Sequence, residues 1–154
     1  MTVLEKIITA TEQLGYRPDA VRRDYAYSDV WSAPAPIRRV PFVAFTQTPP
    51  SYRSAAIAAV HATESGASAT VSSHRALGAP LIFVIEPHQV TRWQVYSNKA
   101  PRLLDRCALD EIDEYFAKHQ EEWKPDAIHR AKSIGRIDAN YQLDFVDVGL
   151  IPRH

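Results

Sequence analysis

The sequence predicts an α/β domain: a small mixed sheet flanked by helices. Three observations lead there. VPFVAFTQ (40–47) and APLIFVIEP (79–87) are short runs, almost wholly apolar and rich in β-branched and aromatic residues, as strands covered on both faces are. Between them, GASATVSSHRALG (66–78) fits a helix that ends at Gly78. Outside them, residues 2–15 and 109–120 place their apolar side chains at helical spacing. With 154 residues, 45% of them hydrophobic, the chain is long enough for one core and is read as one domain.

Taken in order, the first helix covers 2–15: Thr2 can cap it, Val3, Leu4, Ile7, Ile8 and Leu14 form its stripe, and Gly15 can end it. Residues 16–39 hold a helical turn after Pro18, then an extended wrapping segment through Pro34 and Pro36. The strand at 40–47 is closed by the turn signal TPPS. YRSAAIAAVHA (52–62) fits helix or strand, because alanine favours one and a short bounded apolar run the other; we read it as a strand. After the helix at 66–78 and the strand at 79–87, Pro87-His88 makes a turn into QVTRWQVYS (89–97), which alternates like a half-buried strand. SNKAPRLLDR (97–106) reads as a basic loop. Two helices follow: LDEIDEYFAKHQ (109–120), with Leu109, Ile112, Tyr115 and Phe116 on one face, and KPDAIHRAKSI (124–134), with Pro125 in its first turn and Gly135 after it. Residues 141–148 fit either a strand or the start of a helix. The predicted element order is αββαββαα.

The final stretch, YQLDFVDVGLIPRH, is unusually apolar for a terminus and is expected to need a neighbour. The organisation expected is an N-terminal helix and wrapping segment (1–39), an α/β core (40–136) and a lead (137–154) into the rest of a larger protein. A single cysteine, Cys107, excludes an internal disulfide framework. The first fifteen residues are too polar and acidic for a signal peptide, and no run approaches the roughly 18 apolar residues of a membrane span. A cytoplasmic protein without a membrane partner is the expectation.

Basic and acidic residues both total 18, but they are unevenly placed. From Val30 to Leu104 there are two carboxylates, Glu64 and Glu86, against seven bases: Arg38, Arg39, Arg53, Arg75, Arg92, Lys99 and Arg102. From Asp105 to Asp126 the sign reverses, with eight acids and three bases. The first group supplies candidate phosphate contacts on one face, and Arg130 and Lys132 in the last predicted helix, with Arg136 just beyond it, extend it. Basic residues also complement a helix C-terminus, so a solvated helix end explains those three equally well. The six histidines never fall at His-x-x-x-His spacing and Cys107 has no ligand neighbour, so no metal site and no cofactor is expected. Ser72, Ser73 and His74 are adjacent, and a helix would point them in different directions, so they form no dyad. TPPSY (48–52) compares with the motif of amino-methylating DNA methyltransferases, but Thr48 and Ser51 replace its acceptor and its stacking aromatic, leaving a double-proline turn.

RSAAIAAV, RALGAPLIFVIEPHQVTRWQV and WKPDAIHRAK, followed by YQLDFVDVGLIP, together resemble the N-terminal region that precedes the methyltransferase core in large bacterial DNA restriction and modification proteins of the N6-adenine methylase type. The resemblance covers roughly residues 40–152. It implies a restriction-endonuclease-like domain, to whose core the order αββαββαα is close. An active nuclease of that kind holds magnesium with an acid on one strand and an acid plus lysine on the next. YRSAAIAAVHA carries none of these, and Glu86 is followed by Pro-His, so the copy is expected to be degenerate. A non-catalytic module that positions DNA, or docks on the methyltransferase core of the same protein, is therefore the leading expectation. One rival is a protein-docking domain that uses Phe145, Val148, Leu150 and Ile151 and does not bind DNA. Another is a nuclease in which Asp24, Asp29 or Asp105 joins Glu86.

Overall fold

The computed structural model of the protein describes residues 1–128 except Trp31, Pro49, residues 51–53, Ser97 and Asn98. Of the helix expected at 124–134, residues 125–128 are helical and those from 129 on lie outside the described residues, as does the element expected at 141–148.

Helix α1 spans Val3–Glu12; Thr2 is extended and its hydroxyl accepts the Glu5 amide at 3.1 Å, satisfying one of the donors that a helix start leaves open. Ile7 and Ile8 are fully buried, and the chain turns out through Gly15 at φ +99°. There follow β1 (Val21–Ser28), β2 (Ile37–Phe45), β3 (Ala55–His61), α2 (Ala67–Ser73), β4 (Leu81–Ile85), β5 (Gln89–Gln94), β6 (Arg102–Ala108) and α3 (Ile112–His119). The six strands form one sheet in chain order. All neighbours are antiparallel except β3 and β4, which run parallel and are joined through α2.

The mixed α/β class and the central strand–strand–helix–strand–strand path agree with the sequence reading. The ambiguous stretch resolves as a strand over Ala55–His61, whose first six residues are buried whichever face they point to. Three expectations are corrected. The wrapping segment contains β1 and the basic loop contains β6, so the order is αβββαβββα. Both are edge strands with mostly exposed or half-exposed side chains, so they lack a strong apolar period; their ladders to β2 and β5 hold them. The helix expected at 66–78 stops at Ser73 and continues as a 3-10 turn, Arg75–Leu77, closed by left-handed Gly78.

Helices α1 and α3 cover one face of the sheet, with Phe42, Ile57, Leu81 and Phe83 beneath them; α2 covers the other, over Val43, Ala58, Ile82 and Val84. In the β1–β2 ladder, Asp24 has φ +47° opposite Pro41, which has no N–H to give, and pairing lapses there while its register is kept on both sides. Across the lapse the faces exchange: Phe42 and Ala44 lie toward α1, whereas Val40, Tyr25 and Tyr27 lie toward α2.

On the α1/α3 side, Arg92 is 1% exposed and bonds Asp105 through Nε (3.1 Å) and Nη2 (2.6 Å), and Glu122 through Nη1 (2.8 Å). Its guanidinium lies 5.3 Å from the Trp123 ring centre, and the Tyr115 hydroxyl also donates to Asp105. Burial alone would lower the arginine pKa; Tyr115, Asp105 and Glu122 together hold it above its ordinary value. Arg92→Met would strand two half-buried carboxylates, so it is expected to lower unfolding free energy by about 3 kcal/mol in urea titration. Arg39→Met, at an exposed pair with Asp24, is expected to cost less than about 1 kcal/mol.

Candidate functional site

The exchange of faces at Asp24 and Pro41 carries the far end of the β1–β2 hairpin to the α2 side, where Tyr27 and Arg38 are cross-strand partners. Asp29, just past β1, is 5% exposed; its amide donates to Pro36 O at 2.9 Å. One of its carboxylate oxygens accepts from Arg38 Nε at 2.6 Å and from the Ser32 hydroxyl at 3.0 Å. Buried Val71 and Leu77 anchor α2 and its following turn, and bring Ser72, Ser73, His74 and Arg75 to the same place. Together Asp29, Ser32, Arg38, Ser72, Ser73 and Arg75 line a small polar cavity of about 90 Å³.

Beside it, the Tyr27 hydroxyl and His74 Nδ1 lie 2.6 Å apart. Burial, reinforced by the Arg38 charge, lowers the His74 pKa to about 4, and burial raises that of Tyr27. At neutral pH a neutral tyrosine and a neutral imidazole therefore share this hydrogen bond, its direction set by the imidazole tautomer. Asp29 orients Arg38 through Nε alone; the two terminal nitrogens of that guanidinium make no hydrogen bond among the described residues. Two arginines and one aspartate leave the cluster with a net positive charge. Guanidinium nitrogens alongside a serine hydroxyl form a donor set that recognises oxyanions; here that hydroxyl is Ser72, since Ser32 and Ser73 already donate to Asp29 and to Thr70 O.

Two residues of the predicted basic set, Arg38 and Arg75, thus meet although they are far apart in sequence. The others do not join them. Arg39 lies beside α1 and pairs with Asp24 at 3.3 Å; Lys99 sits 4.1 Å from the Tyr96 ring centre; Arg102 is exposed at the start of β6. Arg92 is corrected outright: a buried, doubly paired arginine cannot reach a phosphate. Arg53, Arg130, Lys132 and Arg136 lie outside the described residues, as do Phe145, Val148, Leu150 and Ile151.

Glu86 occupies the β4–β5 turn, accepting from the Thr91 hydroxyl (2.9 Å) and from Gln89 Nε2 (3.4 Å). Asp24, Asp29 and Asp105 each hold a different arginine, and none is brought to Glu86 in a metal-ligating group. Among the described residues no three His, Cys, Asp or Glu side chains are grouped to hold a metal ion. Cys107 is buried, and burial with the nearby acids pushes its thiol up to about 11. Ser73 donates to Thr70 O while His74 engages Tyr27. No helix among the described residues is long and apolar enough to cross a membrane. Sequence reasoning missed Tyr27 and Ser32 and named Asp29 only as an acid of the rival nuclease; the alternation of Tyr25 and Tyr27 was the one signal of a strand there.

Comparison with family models, with curated proteins and with solved structures gives no match.

His74 binds its proton more weakly folded than unfolded, so the unfolded chain takes up the extra proton. Its contribution is fully present above the unfolded value near 6.5 and is lost as pH falls toward about 4. The urea midpoint is expected to drop over that window, and the drop is expected to be smaller in His74→Gln; equal slopes in both proteins would refute the assignment.

Proposed function

We propose that the protein is a non-catalytic DNA-positioning module of a bacterial DNA modification or defence protein, holding the duplex backbone at the Arg38/Arg75 cavity. The observation that carries this reading is the convergence of those two arginines with Ser72 in a polar cavity of about 90 Å³. Asp29 fixes Arg38 in place, leaving its terminal nitrogens to meet a phosphate oxygen. Such contacts position a protein on DNA without reading sequence. The restriction-endonuclease-like wiring belongs to the same proposal: the ββαββ path of β2 to β5 keeps the expected order, with one strand added at each edge. The engagement of Asp29, Asp105 and Glu86 in structural pairs supports a degenerate copy, with the methyltransferase core as the partner that acts on the DNA.

The test is a fluorescent-duplex titration at low and at physiological salt, with magnesium present and the DNA examined on a gel afterwards. Binding is expected to weaken steeply with salt and to leave the DNA intact. Arg38→Ala with Arg75→Ala is expected to weaken it about tenfold or more on every duplex and to reduce the log–log salt slope by about 1–2. Arg39→Ala, on the opposite face, is expected to change it far less. Binding unaffected by the double substitution would remove the assignment.

A further inference from the structure

The loop that closes the β1–β2 hairpin carries no charged residue between Asp29 and Arg38. Val30 is 70% and Ile37 66% exposed, and Ala33, Pro34 and Ala35 are exposed as well, so the hairpin holds an apolar tip out in water. Hydrogen bonds fix its base: the Asp29 amide donates to Pro36 O at 2.9 Å, the Ser32 amide to Asp29 O at 3.2 Å, and the Asp29 carboxylate accepts from Ser32 and Arg38. Val30 directly follows Asp29 and Ile37 directly precedes Arg38, which sets each apolar Cα about 3.8 Å from that of a residue lining the polar cavity. As neighbours on one strand, Ile37 and Arg38 point to opposite faces of the ribbon. A flat partner would meet one face only; one that touches the cation and the aliphatic side chain together must be grooved.

We propose that this tip enters the major groove of duplex DNA beside the phosphate held at Arg38 and Arg75, setting Val30 and Ile37 against the apolar edges of the bases. The inference deepens the DNA reading above and rests on it. A major groove about 12 Å wide admits a two-stranded ribbon, and thymine methyl groups give its floor apolar contacts. Pro34 and Pro36 have no N–H, so fewer donors lose their water as the tip goes in. The arginines supply the charge and the tip supplies contacts that release no counterions, so salt separates the two contributions.

The full chain carrying Val30→Ser and Ile37→Ser together is titrated against duplex DNA and against long-chain inorganic polyphosphate, which offers phosphates without a groove or bases. The double substitution is expected to weaken duplex binding about fivefold at each salt concentration, while the log–log salt slope and polyphosphate binding stay as in the native chain. Arg38→Ala with Arg75→Ala is expected to weaken binding of both ligands. A native chain that binds no duplex would overturn the DNA reading and this inference with it. Salt-dependent duplex binding that the serine pair leaves intact would overturn the inference alone. Equal loss of duplex and polyphosphate would make the tip a support of the cavity, and tip-dependent binding to phosphatidylglycerol vesicles with duplex binding intact would assign it to a membrane surface; either result would overturn it too.

Discussion

Ala55–His61 and Leu81–Ile85 run side by side in the same direction, and parallel strands cannot be joined by a hairpin. The connection must cross the sheet, and α2 makes that crossing on the face opposite α1 and α3. Both faces of the central strands are thereby covered, which is why β3 and β4 read as nearly unbroken apolar runs. The same crossing delivers the C-terminal end of α2 to the β1–β2 hairpin. Without it, Ser72, His74 and Arg75 would have no route to Tyr27, Asp29 and Arg38, and the polar cavity would not exist.

The two faces solve different problems of charge. Arg92 is enclosed by carboxylates and aromatic rings and ties β5 and β6 to the chain beyond α3; Asp105 is its cross-strand neighbour in register, and Glu122 reaches it from the 3-10 turn that carries Trp123. All three nitrogens of that guanidinium donate to a carboxylate, so its role is cohesion. Arg38 is held by one aspartate through one nitrogen and is only half-buried, which leaves an oriented cation at the surface. The distinction between an enclosed arginine and one left available lies in the number of carboxylates around each, not in the residue type.

The central strands and the flanking helices were legible because burial on both faces, or at helical spacing, writes itself into residue type. Leu81–Ile85 and the stripe of α1 carry that signal in full. Edge strands do not: VRRDYAYS alternates weakly, since solvent meets most of its side chains and only its ladder to β2 makes it a strand. The exchange of faces at Asp24 and Pro41 depends on a backbone irregularity that no periodicity reveals. Arg38 and Arg75 were visible as bases in an acid-poor stretch, but their meeting is a consequence of topology. The same counting placed Arg92 beside them, because sequence spacing cannot tell which acids a strand pairing will bring to an arginine.

The central claim, that duplex backbone is held at the α2 end of the β1–β2 hairpin, is tested most directly by an amide NMR titration of the full chain with a short duplex at low salt. The account predicts shifts concentrated at Arg38, Ser72, Ser73 and Arg75, with the α1 and α3 amides unmoved. Shifts confined to α1 and α3, or absent throughout, would contradict it.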